Sequence, residues 1–292
     1  DKPQIFRGDI PWCRIDDFAG KYISDSKFGR YVDKTITDDM NLKIHPKETL
    51  LVSCSADLGN CAIVKKPLVT NQTFIGLFFD NTKASNEFFY YYMTYHADEL
   101  NNLSSGTTIS YLSREQFETF KVRIPNDPKE QSAIATVLSD TDALIEQLDK
   151  LIEKKKGIKQ GAMQELLTGK KRLPGFKGEW VERLLGSLIE LKKGEQLNRS
   201  ELTITGEYPD WNGGVEPSGY TNRWNVVENT ITISEGGNSC GFVNFSKQRF
   251  WCGGHCYALK IASSDLNRDF LYQILKFKER SIMSLRIGSG LP

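Results

Sequence analysis

Hydrophobic and polar positions follow two rhythms along this chain. Between residues 128 and 168 apolar side chains recur at steps of three and four, at Leu144, Leu148, Leu151, Ile158, Ala162 and Leu166, with Lys155 the polar residue in register. That is the spacing of a coiled-coil seam, and it predicts one long helix. Its ends are marked: Asp127 is a natural N-cap, Pro128 suits the first turn, and Thr168-Gly169 followed by Pro174 stops it. At 1.5 Å per residue such a helix is roughly 60 Å long, the proportion of a spacer. On both sides the rhythm changes to short apolar runs broken by Gly, Asn and Pro, the pattern of strands and hairpins.

The flanking segments repeat each other at a distance of about 180 residues, too long a period for a solenoid. Leu51-Val52-Ser53 followed by Leu58-Gly59-Asn60-Cys61 is echoed by Thr232-Ile233-Ser234 followed by Asn238-Ser239-Cys240-Gly241, each a predicted hairpin, with Cys61 matched to Cys240. Gly8-Asp9-Ile10-Pro11-Trp12 is echoed by Gly206-Glu207-Tyr208-Pro209-Asp210-Trp211, and Asn86–Tyr91 by Arg268–Gln273, each opening an aromatic-rich helix. The features come in the same order in both halves. The unit of duplication is one globular domain plus one long helix, which predicts a second helix beyond residue 292 and an opening segment before Asp1. The expected fold class is α+β: two similar domains, each a small, mainly antiparallel sheet with a few helices, over 1–125 and 178–292, separated by the spacer helix and its exit over 126–177.

Composition narrows the class. With 292 residues, 39% of them hydrophobic and 11% aromatic, the chain has material for two cores and is not disordered. There is no apolar run of membrane-spanning length and no signal peptide, and six scattered cysteines suit reduced thiols, so a cytoplasmic protein is expected. The net charge is +1, but Lys150, Lys154, Lys155, Lys156, Lys159, Lys170, Lys171 and Arg172 crowd the second half of the helix and its exit. A lysine run of this kind is ordinarily a solvated helical face.

Catalytic signatures are missing from the sequence. It has no glycine-rich loop for a methyl-donor cofactor, no Asn/Asp-Pro-Pro-aromatic motif and no Walker loop, so neither cofactor nor ATP chemistry is expected. Glu153-Lys154-Lys155 lies on the helix without the second acidic residue that a nuclease site needs. Cys252-Gly253-Gly254-His255-Cys256 lacks a distant second pair and reads as a buried strand, so no metal is expected.

The helix and its flanks resemble the specificity subunit of type I restriction-modification systems. The residues that carry the resemblance are Pro128, Glu130, Gln131, Ile134, Ala135, Leu138 and Asp142 at the start of the helix, then Leu166-Leu167-Thr168-Gly169-Lys170 and Arg172-Leu173-Pro174-Gly175-Phe176 at its exit. The resemblance implies two target recognition domains, each reading half of a split sequence in double-stranded DNA. It also implies that the helix docks two modification (methyltransferase) subunits, which restriction (motor-nuclease) subunits join. The seam residues Leu144, Leu148, Leu151, Ile158, Ala162 and Leu166 are then the partner-binding face.

Reading DNA requires side chains that reach base edges and others that hold phosphates. In the first domain the candidates are Lys21, Tyr22, Lys27, Arg30 and Tyr31, then Asn71, Gln72, Ser105, Thr107, Thr108 and Tyr111. In the second they are Lys192, Lys193, Arg199, Asn212, Tyr220, Asn222, Arg223, Trp224, Lys247, Gln248, Arg249 and Arg286. Two other readings share the helix: a coiled-coil interaction scaffold without DNA specificity, and a metal-dependent nuclease.

Overall fold

A computed structural model describes residues 6–55, 57–80, 83–104, 111–288 and 290–291. The chain divides into two compact units, Asp1–Asp149 and Lys150–Pro292. The division falls inside the long helix, so each unit carries one part of it.

In unit 1 the strands are β1 (Ile10–Cys13), β2 (Tyr22–Ile23), β3 (Tyr31–Val32), β4 (Ile44–His45), β5 (Leu50–Ser53), β6 (Cys61–Val64), β7 (Leu68–Thr70) and β8 (Phe74–Leu77). They form two sheets, ordered β3-β1-β7-β4 and β2-β6-β5-β8. Helix α1 (Lys34–Asp39) links the strands, and α2 (Asn86–Tyr95), α3 (Ala97–Leu103) and α4 (Arg114–Glu118) follow them. All four residues of β5 are buried, because both faces of this strand are covered. Leu50 and Val52 meet Phe88, Phe89 and Met93 of α2, while Leu51 joins Cys13, Ile23, Ala62, Val64 and Leu68 on the other side.

Helix α5 spans Pro128–Leu166, 39 residues. The Lys129 N–H donates to the Asp127 carboxylate at 2.9 Å, the expected cap. At the other end Gly169 takes a φ of +72° and its N–H donates to the Leu166 carbonyl, ending the helix as the Thr-Gly pair predicts. Gln131 and Ala135 are its buried residues.

Unit 2 holds β9 (Ile189–Lys193), β10 (Tyr208–Trp211), β11 (Gly219–Thr221), β12 (Thr230–Ser234), β13 (Val243–Ser246), β14 (Trp251–Cys252) and β15 (Cys256–Ile261), then α6 (Arg268–Phe277) and α7 (Glu279–Ser284). Its sheets are ordered β11-β10-β14 and β13-β12-β15-β9. Ile231 and Ile233 of β12 face Leu271 and Leu275 of α6, which repeats the β5–α2 packing of unit 1.

The duplication extends to single hydrogen bonds. Val52 lies opposite Cys61 as Ile233 lies opposite Val243, both antiparallel. The Gly59 N–H donates to Ser53 O and the Gly241 N–H to Ser234 O; the Ser53 hydroxyl donates to Ser55 O, whereas that of Ser234 donates to Gly213 O at 2.6 Å. Gly59 and Gly241 have φ of +81° and +85°, and a Cβ on either would strike the helix behind it at Ala97 or Met283. Cys61 therefore corresponds to Val243, and the sequence match of Cys61 with Cys240 is three residues out of register. The loop between the paired strands is one residue longer in the second copy, and Cys240 lies in that loop rather than on β13. Strand β1 runs antiparallel to β3 and parallel to β7, as β10 runs antiparallel to β11 and parallel to β14. Pro11 and Pro209 occupy the same place, which sets Trp12 against Asp210 rather than Trp211. Among the described residues the sheets are mainly antiparallel but mixed, with parallel pairs at β1–β7, β2–β6 and β10–β14. The copies differ at both edges of the sheet built on β5 or β12: β2 joins β6 in unit 1, whereas in unit 2 β9 joins β15 on the opposite side.

Candidate nucleic-acid interface

In unit 2 the end of the β11-β10-β14 sheet gathers exposed aromatic and cationic side chains. Tyr220 ends on β11, and the turn after it carries Asn222, Arg223 and Trp224. The Arg223 guanidinium lies 5.2 Å from the Trp251 ring centroid and pairs with Glu201; that of Arg249 lies 4.6 Å from Trp224 and pairs with Glu228 at 3.2 Å. A guanidinium stacked on an indole keeps its N–H edges directed outward, the geometry that phosphate oxygens and guanine edges accept. Glu201 and Glu228 hold these arginines in place, and a bond from its own main chain, then the Arg249 bond, keep the Glu228 carboxyl below its ordinary value. Asn222 accepts the Glu207 N–H at 3.4 Å. Sequence reasoning missed Trp251 and the two glutamates. Trp251 follows Arg249-Phe250 on an alternating strand, and that alternation was the available signal.

A second group surrounds Glu235. Lys193 pairs with it at 2.6 Å, the Tyr257 hydroxyl donates to it at 3.0 Å, and these contacts lower its carboxyl pKa, with Lys193 the largest cause. Asn212 donates to Gln196 and accepts the His255 N–H, and Arg286 donates to the carbonyls of Gly237 and Gly288, so both brace loops. Lys192, Arg199, Lys247 and Gln248 are exposed. Cys252 and Cys256 are buried with their thiols directed at main-chain carbonyls, and His255 is exposed. Among the described residues no group of three or more His, Cys, Asp or Glu is placed to hold a metal.

The first-domain candidates are more occupied with their own fold. Arg30, with a side chain 11% exposed, pairs with Asp16 and with the fully buried Asp17, both at 2.8 Å. The Lys27 N–H donates to Asp17, its ammonium to the Asp16 and Phe18 carbonyls, and the Tyr31 hydroxyl to Asp25 at 2.7 Å, which raises the Tyr31 pKa. Lys21, also 11% exposed, pairs with Glu87, which accepts the Tyr22 hydroxyl at 2.8 Å. Asn71 accepts the Thr73 hydroxyl, while Gln72 and Tyr111 are exposed. Asn71 and Gln72 border a concavity with Trp12, Lys43, His45 and Phe78. Ser105, Thr107 and Thr108 lie outside the described residues.

Among the described residues the helix seam is largely exposed. Leu144, Leu148, Leu151 and Ile158 are each about half exposed, Ala162 is exposed and Leu166 half-buried.

The chain belongs to the type I restriction modification DNA specificity domain family, whose model matches residues 2–155 and 177–292, one match to each half. It is 40% identical over 113 residues to a putative type I specificity subunit of Mycoplasma pneumoniae, covering 38% of this chain and 30% of that one. It is 22% identical over 289 residues to the EcoprrI type I restriction enzyme specificity subunit of Escherichia coli, covering 92% of this chain and 69% of that one. The chain therefore spans about a third of the length of the first of these relatives. Its fold is similar to that of the type I restriction-modification S subunit of M. genitalium, with a TM-score of 0.66 and 20% identity over 95% of this chain and 75% of that one.

Proposed function

We propose that this chain is the DNA-reading component of a type I restriction-modification complex, with no catalytic chemistry of its own. Each unit reads one half of a split target in double-stranded DNA, and α5 sets the gap between the halves. Two modification (methyltransferase) subunits dock on the helix and its seam, and restriction (motor-nuclease) subunits join that core. The complex works in the cytoplasm, where the six buried cysteines remain thiols. In unit 2 Arg223 and Arg249, with Tyr220, Asn222 and Trp224, meet the duplex; in unit 1 the exposed Gln72 and Tyr111 are the freer candidates among the described residues.

The observation that carries this reading is the internal duplication. Two heads share the pairing of their central strands, their turn glycines and a main-chain hydrogen bond at each turn, and the chain between them carries one long helix with a largely exposed apolar seam. A duplicated reader on a spacer suits a duplicated, spaced target. The test is selection from a random pool of duplexes by the chain together with modification subunits. Enrichment of two short half-sites at a constant gap is the expected result. Sequence-independent recovery would favour the scaffold, and magnesium-dependent cleavage by the chain alone would favour the nuclease.

A further inference from the structure

Head 1 is fastened to α5 by a polar clasp that no part of the recognition chemistry requires. The Tyr91 hydroxyl of α2 donates to the Asp142 carboxylate of α5 at 2.6 Å, and its oxygen lies 3.3 Å from the Ser139 hydroxyl, which lowers the Tyr91 pKa as a donor does. Lys21 donates to the same Ser139 hydroxyl at 2.6 Å, lies 4.7 Å from the Tyr91 ring centroid and pairs with Glu87 of α2. Nearer the helix start, Gln131 is 1% exposed; its carbonyl accepts the Ser85 N–H at 3.0 Å and its amide donates to Pro125 O at 2.8 Å. Burial and the Asp142 bond push the Tyr91 hydroxyl up to about 12, so it stays a donor at neutral pH.

These contacts come from one stripe of the helix. At about 100° per residue, Gln131, Ala135, Ser139 and Asp142 lie within about 80° of one another, and the seam from Leu144 to Leu166 is centred about half a turn away. The head thus grips one side of the rod and leaves the seam side free. Gln131 and Ala135 alone are a short contact about which the head could swing; Tyr91, two turns further along, resists that rotation. In the second copy Gln273 stands where Tyr91 does, so this clasp belongs to head 1.

We propose that Tyr91, acting through Asp142 and Ser139, is a positioning residue that fixes the rotational phase of head 1 about the helix and thereby the gap length the protein accepts. The inference rests on the bipartite-reader function above. On a duplex that turns once in about 10.5 base pairs, each pair added to the gap rotates the second half-site by about 34°. A head held to a fraction of that angle rejects a gap one pair too long or short, and a head free to swing accepts it.

The experiment measures binding by the full chain with its modification subunits to duplexes carrying the same half-sites at gaps stepped by one base pair. For the wild type we expect about tenfold or greater preference for one gap over its neighbours, and for Tyr91→Phe a preference below about threefold, with discrimination against mutated half-sites unchanged. Asp142→Ala, a change on the helix surface, should broaden the profile likewise, while Asp142→Asn, which keeps an acceptor for the Tyr91 hydroxyl, should restore most of it. Tyr95→Phe, one turn beyond Tyr91 on the same face of α2 but with its side chain exposed, should behave as wild type. A wild-type gap profile in both Tyr91→Phe and Asp142→Ala would overturn the proposal. A wild-type protein that binds all duplexes alike would overturn the functional reading beneath it, and the two failures are told apart by which protein shows the flat profile.

Discussion

Two equivalent regions of the heads bury ionisable groups with opposite consequences. Asp210, in the position of Trp12, is 1% exposed and one carboxylate oxygen has no partner; burial raises its pKa from 3.8 to about 6. Folded protein therefore holds a proton that unfolded chain has released between about pH 4 and 6, and this contribution to stability is lost as pH rises through 6. His45 in unit 1 is buried with one ring nitrogen on the Thr70 hydroxyl, and burial lowers its pKa from 6.5 to about 4. Here the unfolded chain takes the extra proton, so stability is lost as pH falls from about 6.5 to 4. Denaturation followed by a probe in each unit should show unit 2 weakening and unit 1 strengthening as pH rises from 4 to 6. Asp210→Asn should abolish the first trend and stabilise unit 2 at pH 7 by about 2 kcal/mol. At the surface, Arg223→Ala and Arg249→Ala should each weaken DNA binding by about tenfold while leaving the melting temperature nearly unchanged, checked by titration at fixed salt.

At the scale of elements, helix α5 was legible in the sequence almost to the residue, because capping and seam periodicity are local signals. The hairpins were legible too, since β5 and β6 are unbroken apolar runs bounded by turn residues. The register between copies was not: a shared cysteine suggested the Cys61–Cys240 match, and only the shared positive φ of Gly59 and Gly241, set by a helix distant in sequence, corrects it. The parallel β1–β7 and β10–β14 pairings were equally hidden, because their partners are about 40 to 60 residues apart and each strand is short. The site was legible in part. Composition picks out cationic loops, but it cannot tell Arg30, buried against Asp16 and Asp17, from Arg223, exposed beside Trp251 although paired with Glu201. Two tests follow. Gly59→Ala should destabilise unit 1 by about 1–3 kcal/mol in urea unfolding, from both the backbone strain and the Ala97 collision. Gly157 and Gly161 meet nothing within 4 Å, and replacing each with Ala should stabilise the helix by about 0.5–1 kcal/mol.

The whole molecule combines a modest charge with two duplicated heads. A net charge of +1 gives little long-range attraction to a polyanion. The chain alone should bind its target weakly and lose that binding steeply between low and physiological salt, and the modification subunits should tighten it by about a hundredfold or more in an anisotropy titration. On the proposed reading, the helix sets what the two heads can read together. Inserting four residues after Lys155 lengthens it by about 6 Å, or about two base pairs of duplex. With the modification subunits present, the preferred gap should lengthen by about two base pairs while both half-sites keep their sequences. An unchanged preferred gap, or altered half-sites, would contradict the account.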